Sequence, residues 1–201
     1  MSRTLRWTFA AGAALALSAC GGLLGGGKPP AHLYTLSPEA TAPTDVQRSA
    51  SAGEAITVNV PVTGRELRSN RVPVQEGPTS IAYVANMTLI DSPDRLLQDL
   101  ISETLRRTTG RVVMNPRQAT FDPGLTVSGE LRRFGYDATA RQVMVTYDAA
   151  LSTQGGTRVE TRRFEASAPA DGTVTTVAPA LNRAANQVAS DVARWVAGPA
   201  R

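Results

Sequence analysis

The chain holds one cysteine, one histidine and one lysine in 201 residues, and few aromatics: two Trp, four Tyr and four Phe. A lone cysteine excludes an intramolecular disulfide. Cys20 and His32 cannot build a zinc site, which takes several Cys, His or carboxylate ligands at set spacing. His32 also closes a flexible linker, where it is poorly placed as the oriented base of a nucleophilic triad. The aromatics are too sparse to act as base-stacking platforms. Like charges run no further than pairs such as Arg106-Arg107, Arg132-Arg133 and Arg162-Arg163, which read as solvated faces. Nucleic-acid binding is therefore not supported. Phosphate-cradling glycine motifs are lacking as well: Gly25-Gly26-Gly27-Lys28 has no preceding strand, no Ser or Thr and no helix after it. Asp91, Asp94 and Asp99 flank a helix start, where the helix dipole alone favours acids. No catalytic residue, metal ligand or cofactor site is expected.

What is present begins at residue 1. Arg3 and Arg6 precede an apolar stretch from Trp7 to Leu17, too short for the ~20 residues that span a bilayer. Leu17-Ser18-Ala19-Cys20 follows, a lipobox: leucine, two small residues that let a peptidase grip an extended chain, then the cysteine. Cleavage is expected between Ala19 and Cys20. Cys20 is expected to carry a diacylglycerol on its sulfur and an N-acyl chain on its amine. The alternatives are an ordinary cleaved signal with a chance cysteine, or an uncleaved anchor. A stray free thiol would be an odd leftover in an exported protein, and several acyl chains hold a protein at a membrane where one does not. Loss of Arg3 and Arg6 lowers Lys+Arg from 21 to 19 against 17 acidic residues, a net charge of +2.

The expected organisation is a signal peptide over residues 1–19, a lipidated cysteine and tether over 20–31, and a single domain over 32–198. Glycines make the tether flexible and Pro29-Pro30 stiffens its end. Its 11 residues from Gly21 to Ala31 give a typical reach of roughly 17–20 Å. In the domain, Ile56-Thr57-Val58-Asn59-Val60 alternates as a half-buried strand does. Residues 71–75 and 80–84 predict two short strands around the turn Glu76-Gly77-Pro78. Ser92 and Pro93 predict a capped helix start, Leu96, Leu97, Leu100, Ile101 and Leu105 one apolar face, and Gly110 a stop. Strands are predicted over 111–115, 125–134, 142–153 and 158–168, the last two joined through Gly155-Gly156. Val177, Leu181, Ala184, Val188, Val192 and Trp195 recur at helical steps, and Pro179 argues for a start near Thr175 or Thr176. The fold class is α+β, one mostly antiparallel sheet covered by two helices.

Over nearly the whole mature length, the chain resembles the ABC-type transport auxiliary lipoproteins, the family that includes the C-subunit of paraquat-inducible systems. The resemblance is carried by Tyr34-Thr35-Leu36, Val60-Pro61, Leu67 to Val72, and Ile81-Ala82-Tyr83. It continues in Ser92-Pro93-Asp94-Arg95-Leu96-Leu97-Gln98-Asp99-Leu100, Glu130-Leu131-Arg132-Arg133-Phe134, Arg163-Phe164-Glu165-Ala166 and Val192-Ala193-Arg194-Trp195-Val196. Members commonly carry a Trp just before the first helix, where Leu89 stands here. The resemblance implies a non-catalytic, outer-membrane lipoprotein facing the periplasm, accessory to MCE-type (mammalian cell entry) phospholipid transport, with an MCE-domain protein as partner. Gly21, rather than Asp, after Cys20 favours outer-membrane sorting. Tyr34, Leu36, Arg71 and Tyr83 are candidates for the partner interface, set against plain core packing for the apolar and aromatic ones. Two other readings stand: a lipoprotein that assembles or plugs an outer-membrane β-barrel, and a periplasmic hydrolase with a concave pocket.

Overall fold

A computed structural model describes residues 31–42, 44, 47–51, 53–114, 116–118, 124–153 and 158–198. Residues 32–201 form one compact unit. The lipobox, the tether up to residue 30 and Gly155-Gly156 lie outside the described residues.

The chain is organised around one long strand. In order the elements are β1 (Ile56–Val58), β2 (Val62–Thr63), β3 (Arg71–Gly77), β4 (Ser80–Thr88), α1 (Pro93–Thr109), β5 (Val113–Met114), β6 (Leu125–Asp137), β7 (Gln142–Ser152), β8 (Val159–Pro169) and α2 (Val174–Ala197). One edge of β6 pairs antiparallel with β7 along its length, and β7 pairs antiparallel with β8. The other edge of β6 takes β1, β2 and β3 one after another, all parallel. Beyond these, β5 lies parallel beside β1 and β4 antiparallel beside β3. The result is an α+β domain with an eight-stranded mixed sheet. Its long ladders are antiparallel, as expected. The short parallel ones follow from the crossover through α1, since parallel neighbours need a long connection.

Alternation decides which face is covered. Val143, Val145, Tyr147 and Ala149 of β7 are buried, with Phe164 and Ala168 of β8 and Val127, Leu131 and Phe134 of β6. They meet Leu97, Leu100, Ile101 and Leu105 of α1 and Val177, Leu181, Val188 and Val192 of α2 in one core. Full burial of each Val, Leu, Ile or Phe among them contributes roughly 1.5–3 kcal/mol. Alanines at 180, 184, 185, 189 and 193 are buried too, and their size lets α2 lie close to its neighbours. Leu89, where a family Trp is common, is 1% exposed and belongs to this core.

Three local expectations are corrected. Ser92 occupies the N-cap of α1 but makes no side-chain cap bond. Its own amide instead donates to Asp91 Oδ1 at 2.7 Å. Secondly, α2 starts at Val174, so Pro179 lies inside the helix rather than in its first turn. The earlier start is held by Asp171, whose Oδ1 accepts from the Thr173 amide at 2.9 Å and the Thr173 hydroxyl at 2.6 Å. Finally, β6 runs on to Asp137, three residues past the predicted end, because β7 pairs with it as far as Asp137 on one edge and β3 pairs with Tyr136 and Asp137 on the other. Gly135 makes that approach possible: a Cβ there would lie 2.4 Å from the Pro73 carbonyl oxygen.

Candidate functional site

The helix-free face of the sheet carries its charge in matched pairs. Arg163 of β8 donates to Asp148 of β7 through both Nε (2.6 Å) and Nη2 (2.7 Å). Arg132 reaches Glu130 at 3.2 Å and Arg133 reaches Asp137 at 3.0 Å. The Arg163 guanidinium holds Asp148 below the usual carboxylate range, and the Ala140 amide does the same for Asp137. The arginines and Glu130 are exposed and Asp137 and Asp148 half-buried, and they neutralise one another. Among the described residues no three His, Cys, Asp or Glu converge as metal ligands. His32 is exposed.

Three of the four interface candidates, Tyr34, Arg71 and Tyr83, fall around a single strand, β4. Arg71 of β3 stacks its guanidinium 4.1 Å above the Tyr83 ring of β4. Tyr34 forms a parallel bridge with Leu89, just past the end of β4. Its amide donates to Thr88 O at 2.9 Å, and its carbonyl accepts from the Ile90 amide at 2.8 Å. Tyr34 and Leu36 are half-buried and pack on the core. They open a strap that runs along α2. Ser37 N donates to Asn182 Oδ1 and Glu39 N to Asn186 Oδ1, each at 2.8 Å. Asn186 Nδ2 returns a bond to Ser37 O at 2.9 Å. The strap ends on α1, where Arg107 Nη1 donates to Ala40 O at 2.8 Å.

Ahead of Tyr34 the outer edge of β4 is open. The Ala138 amide bonds Gln75 O, so Gln75 turns its polar backbone toward β6 and its neighbour Val74 faces β4. Val74 is paired with Ala82. Backbone polarity alternates along a strand, so the N–H and C=O of Ile81 and Tyr83 point outward. Among the described strands β4 pairs with β3 alone. The Ile81 side chain is 49% exposed. From Thr79 to Ile90 the sequence has no charged residue, no proline and no glycine. Natural edge strands are usually blunted by charge, proline or a bulge. β8, the opposite edge, follows that rule with Glu160, Arg162, Arg163, Glu165 and Pro169. β4 departs from it over Ile81–Tyr83, and its bulge falls further on, where Asn86 takes φ 58°. Sequence pattern marked Tyr83 and Arg71. It missed Ile81 and the free backbone, although the uncharged run is visible in the sequence.

The fold defines a class first: an α+β domain with both helices on one face of the sheet and a strap laid over them. The chain belongs to the ABC-type transport auxiliary lipoprotein component family, whose model matches residues 34–193. Its structure is similar to that of protein XCC0632 from Xanthomonas campestris, with TM-score 0.68 and 17% identity, covering 82% of this chain and 94% of that one. A second similar structure, of an uncharacterized protein, gives TM-score 0.62 at 15% identity, covering 82% and 99%. These likenesses concern the fold. No curated protein matches the chain. No helix among the described residues is long and apolar enough to cross a membrane.

Proposed function

We propose that the chain is a non-catalytic docking subunit of an MCE/ABC-type phospholipid transport system. In this reading it is held at the periplasmic face of the outer membrane by lipid on Cys20. Family membership supports the transport role, and the lipobox supports the anchor. The observation that carries the docking role is the free, uncharged edge of β4 beside the Arg71–Tyr83 stack. Among the described residues the N–H and C=O groups of Ile81 and Tyr83 have no backbone partner, which suits an extended strand, with main-chain bonds for affinity and flanking side chains for selectivity. The occupant proposed is a strand of the MCE-domain protein.

The test is affinity capture of the acylated chain from solubilised envelopes, beside an Ile81→Lys variant. The exposed position lets lysine be tolerated in the monomer while a charge is placed on the edge. Wild type should recover an MCE-domain or ABC-transport component, and the variant should lose it with acylation intact. Recovery of a β-barrel by both forms would favour the barrel-assembly reading and overturn this one. An unaffected variant would remove the edge from the mechanism.

A further inference from the structure

Arg132, Arg133 and Arg163 on the helix-free face each have a carboxylate partner; at the end of α1 four arginines face one carboxylate among the lining residues. Arg106 and Arg107 in the last turn of α1, Arg111 after it and Arg48 from the loop following the strap line a concavity of about 410 Å³. Ala42, Val112 and Val113 form its apolar wall. One carboxylate, Glu103, shares that wall. It accepts from Arg107 Nε at 2.7 Å and Arg106 Nη1 at 3.4 Å, and both bonds hold it below the usual carboxylate range. Glu54 lies in an adjoining hollow that shares Arg111 and Val112, where it accepts from the Ser51 amide at 3.1 Å.

Ordinary helix capping explains part of this. Arg106 and Arg107 suit the negative end of the helix dipole, and Arg48 Nη2 reaches the Arg106 carbonyl at 3.4 Å. It does not explain why Arg111 joins them, for its guanidinium has no bonded partner among the described residues. Nor does it explain why two separate stretches of chain bring four guanidiniums to one hollow lined by a single carboxylate.

We infer that this concavity binds a phosphate-bearing ligand. Guanidinium forks match phosphate oxygens in pairs. The hollow exceeds what a bare ion fills and falls within the range of small-molecule sites, roughly 300–1,000 Å³. The apolar wall suits the organic part of a phosphate ester. Such an ester is either a soluble small molecule or a lipid headgroup, with the same recognition chemistry. The inference is independent of the β4 edge.

The test uses residues 32–201 without acyl chains, since that unit contains the whole core and vesicle binding then cannot come from an anchor. Calorimetry with inorganic phosphate and glycerol phosphate measures the soluble arm. Flotation with phosphatidylglycerol vesicles against phosphatidylcholine vesicles measures the lipid arm. At least one phosphorylated probe should bind, and the arm that responds names the source. Arg48→Gln with Arg111→Gln should weaken that binding about tenfold or more, since two guanidinium forks are lost from the hollow. Arg132→Gln with Arg163→Gln removes equal charge elsewhere and should change it less than twofold. Arg111→Gln alone, at a side chain with no bonded partner among the described residues, keeps the test valid if the double variant unfolds, and should still weaken binding severalfold. The inference is overturned if no probe binds, if the Arg48/Arg111 variants bind as wild type does, or if the control pair loses as much.

Discussion

Asp171 shows how one side chain sets the beginning of an element. Hydrogen bonds from Thr173 and Thr176 hold its carboxyl down at about 2. The unfolded value is about 3.9, so its contribution to stability is present above that pH and lost as pH falls through about 2. Asp171→Asn should therefore lower the melting temperature at pH 6, and the gap between variant and wild type should close near pH 2. A gap that persists unchanged at pH 2 would contradict this role. Gly135 works through space rather than charge. Gly135→Ala forces a Cβ against the Pro73 carbonyl and should destabilise the domain by about 1–3 kcal/mol, as other overpacking does. Chemical denaturation measures that loss. At Cys20 the expected chemistry is covalent: Cys20→Ala should abolish radiolabelled-palmitate incorporation and release the protein from the membrane fraction. Persistent labelling would place the lipid elsewhere.

Among the elements, the strap depends on two asparagines of α2. Asn186→Ala removes the bonds to Ser37 O and Glu39 N. It should cost about 1–2 kcal/mol and speed hydrogen exchange over residues 34–40 while leaving β6 and β7 protected. Uniform loss of protection would mean that the strap and sheet open together. The helices and antiparallel strands were legible in sequence because each depends on its own periodicity: Leu96 to Leu105 at steps of three and four, Val143 to Leu151 at steps of two. β2 has two residues, and the parallel pairing of β1, β2 and β3 to β6 joins segments far apart in sequence. Local pattern carries no record of either. Pro179 misled for a related reason, since the cap chemistry at Asp171 and Thr173 outweighs the missing amide.

For the molecule as a whole, the sequence offered Tyr34, Leu36, Arg71 and Tyr83 as interface candidates. Local pattern could not separate a side chain that packs from one that borders a free edge. That distinction depends on which strand ends the sheet. Exposed, uncharged edges also pair with one another. At high concentration the acyl-free domain should therefore self-associate more than its Ile81→Lys variant, a difference that sedimentation velocity can measure.

The strap also determines how load enters the domain. Tension on the N-terminal chain reaches the two backbone bonds of Tyr34 to Thr88 and Ile90 first, then the side-chain amides of Asn182 and Asn186. None of these belongs to the β6–β7 ladder. Tension entering at residue 32 can thus peel residues 32–40 and leave the sheet standing. At about 3.3–3.6 Å per residue that releases on the order of 30 Å of chain. The strap acts as a mechanical fuse, giving way before any strand of the sheet is strained.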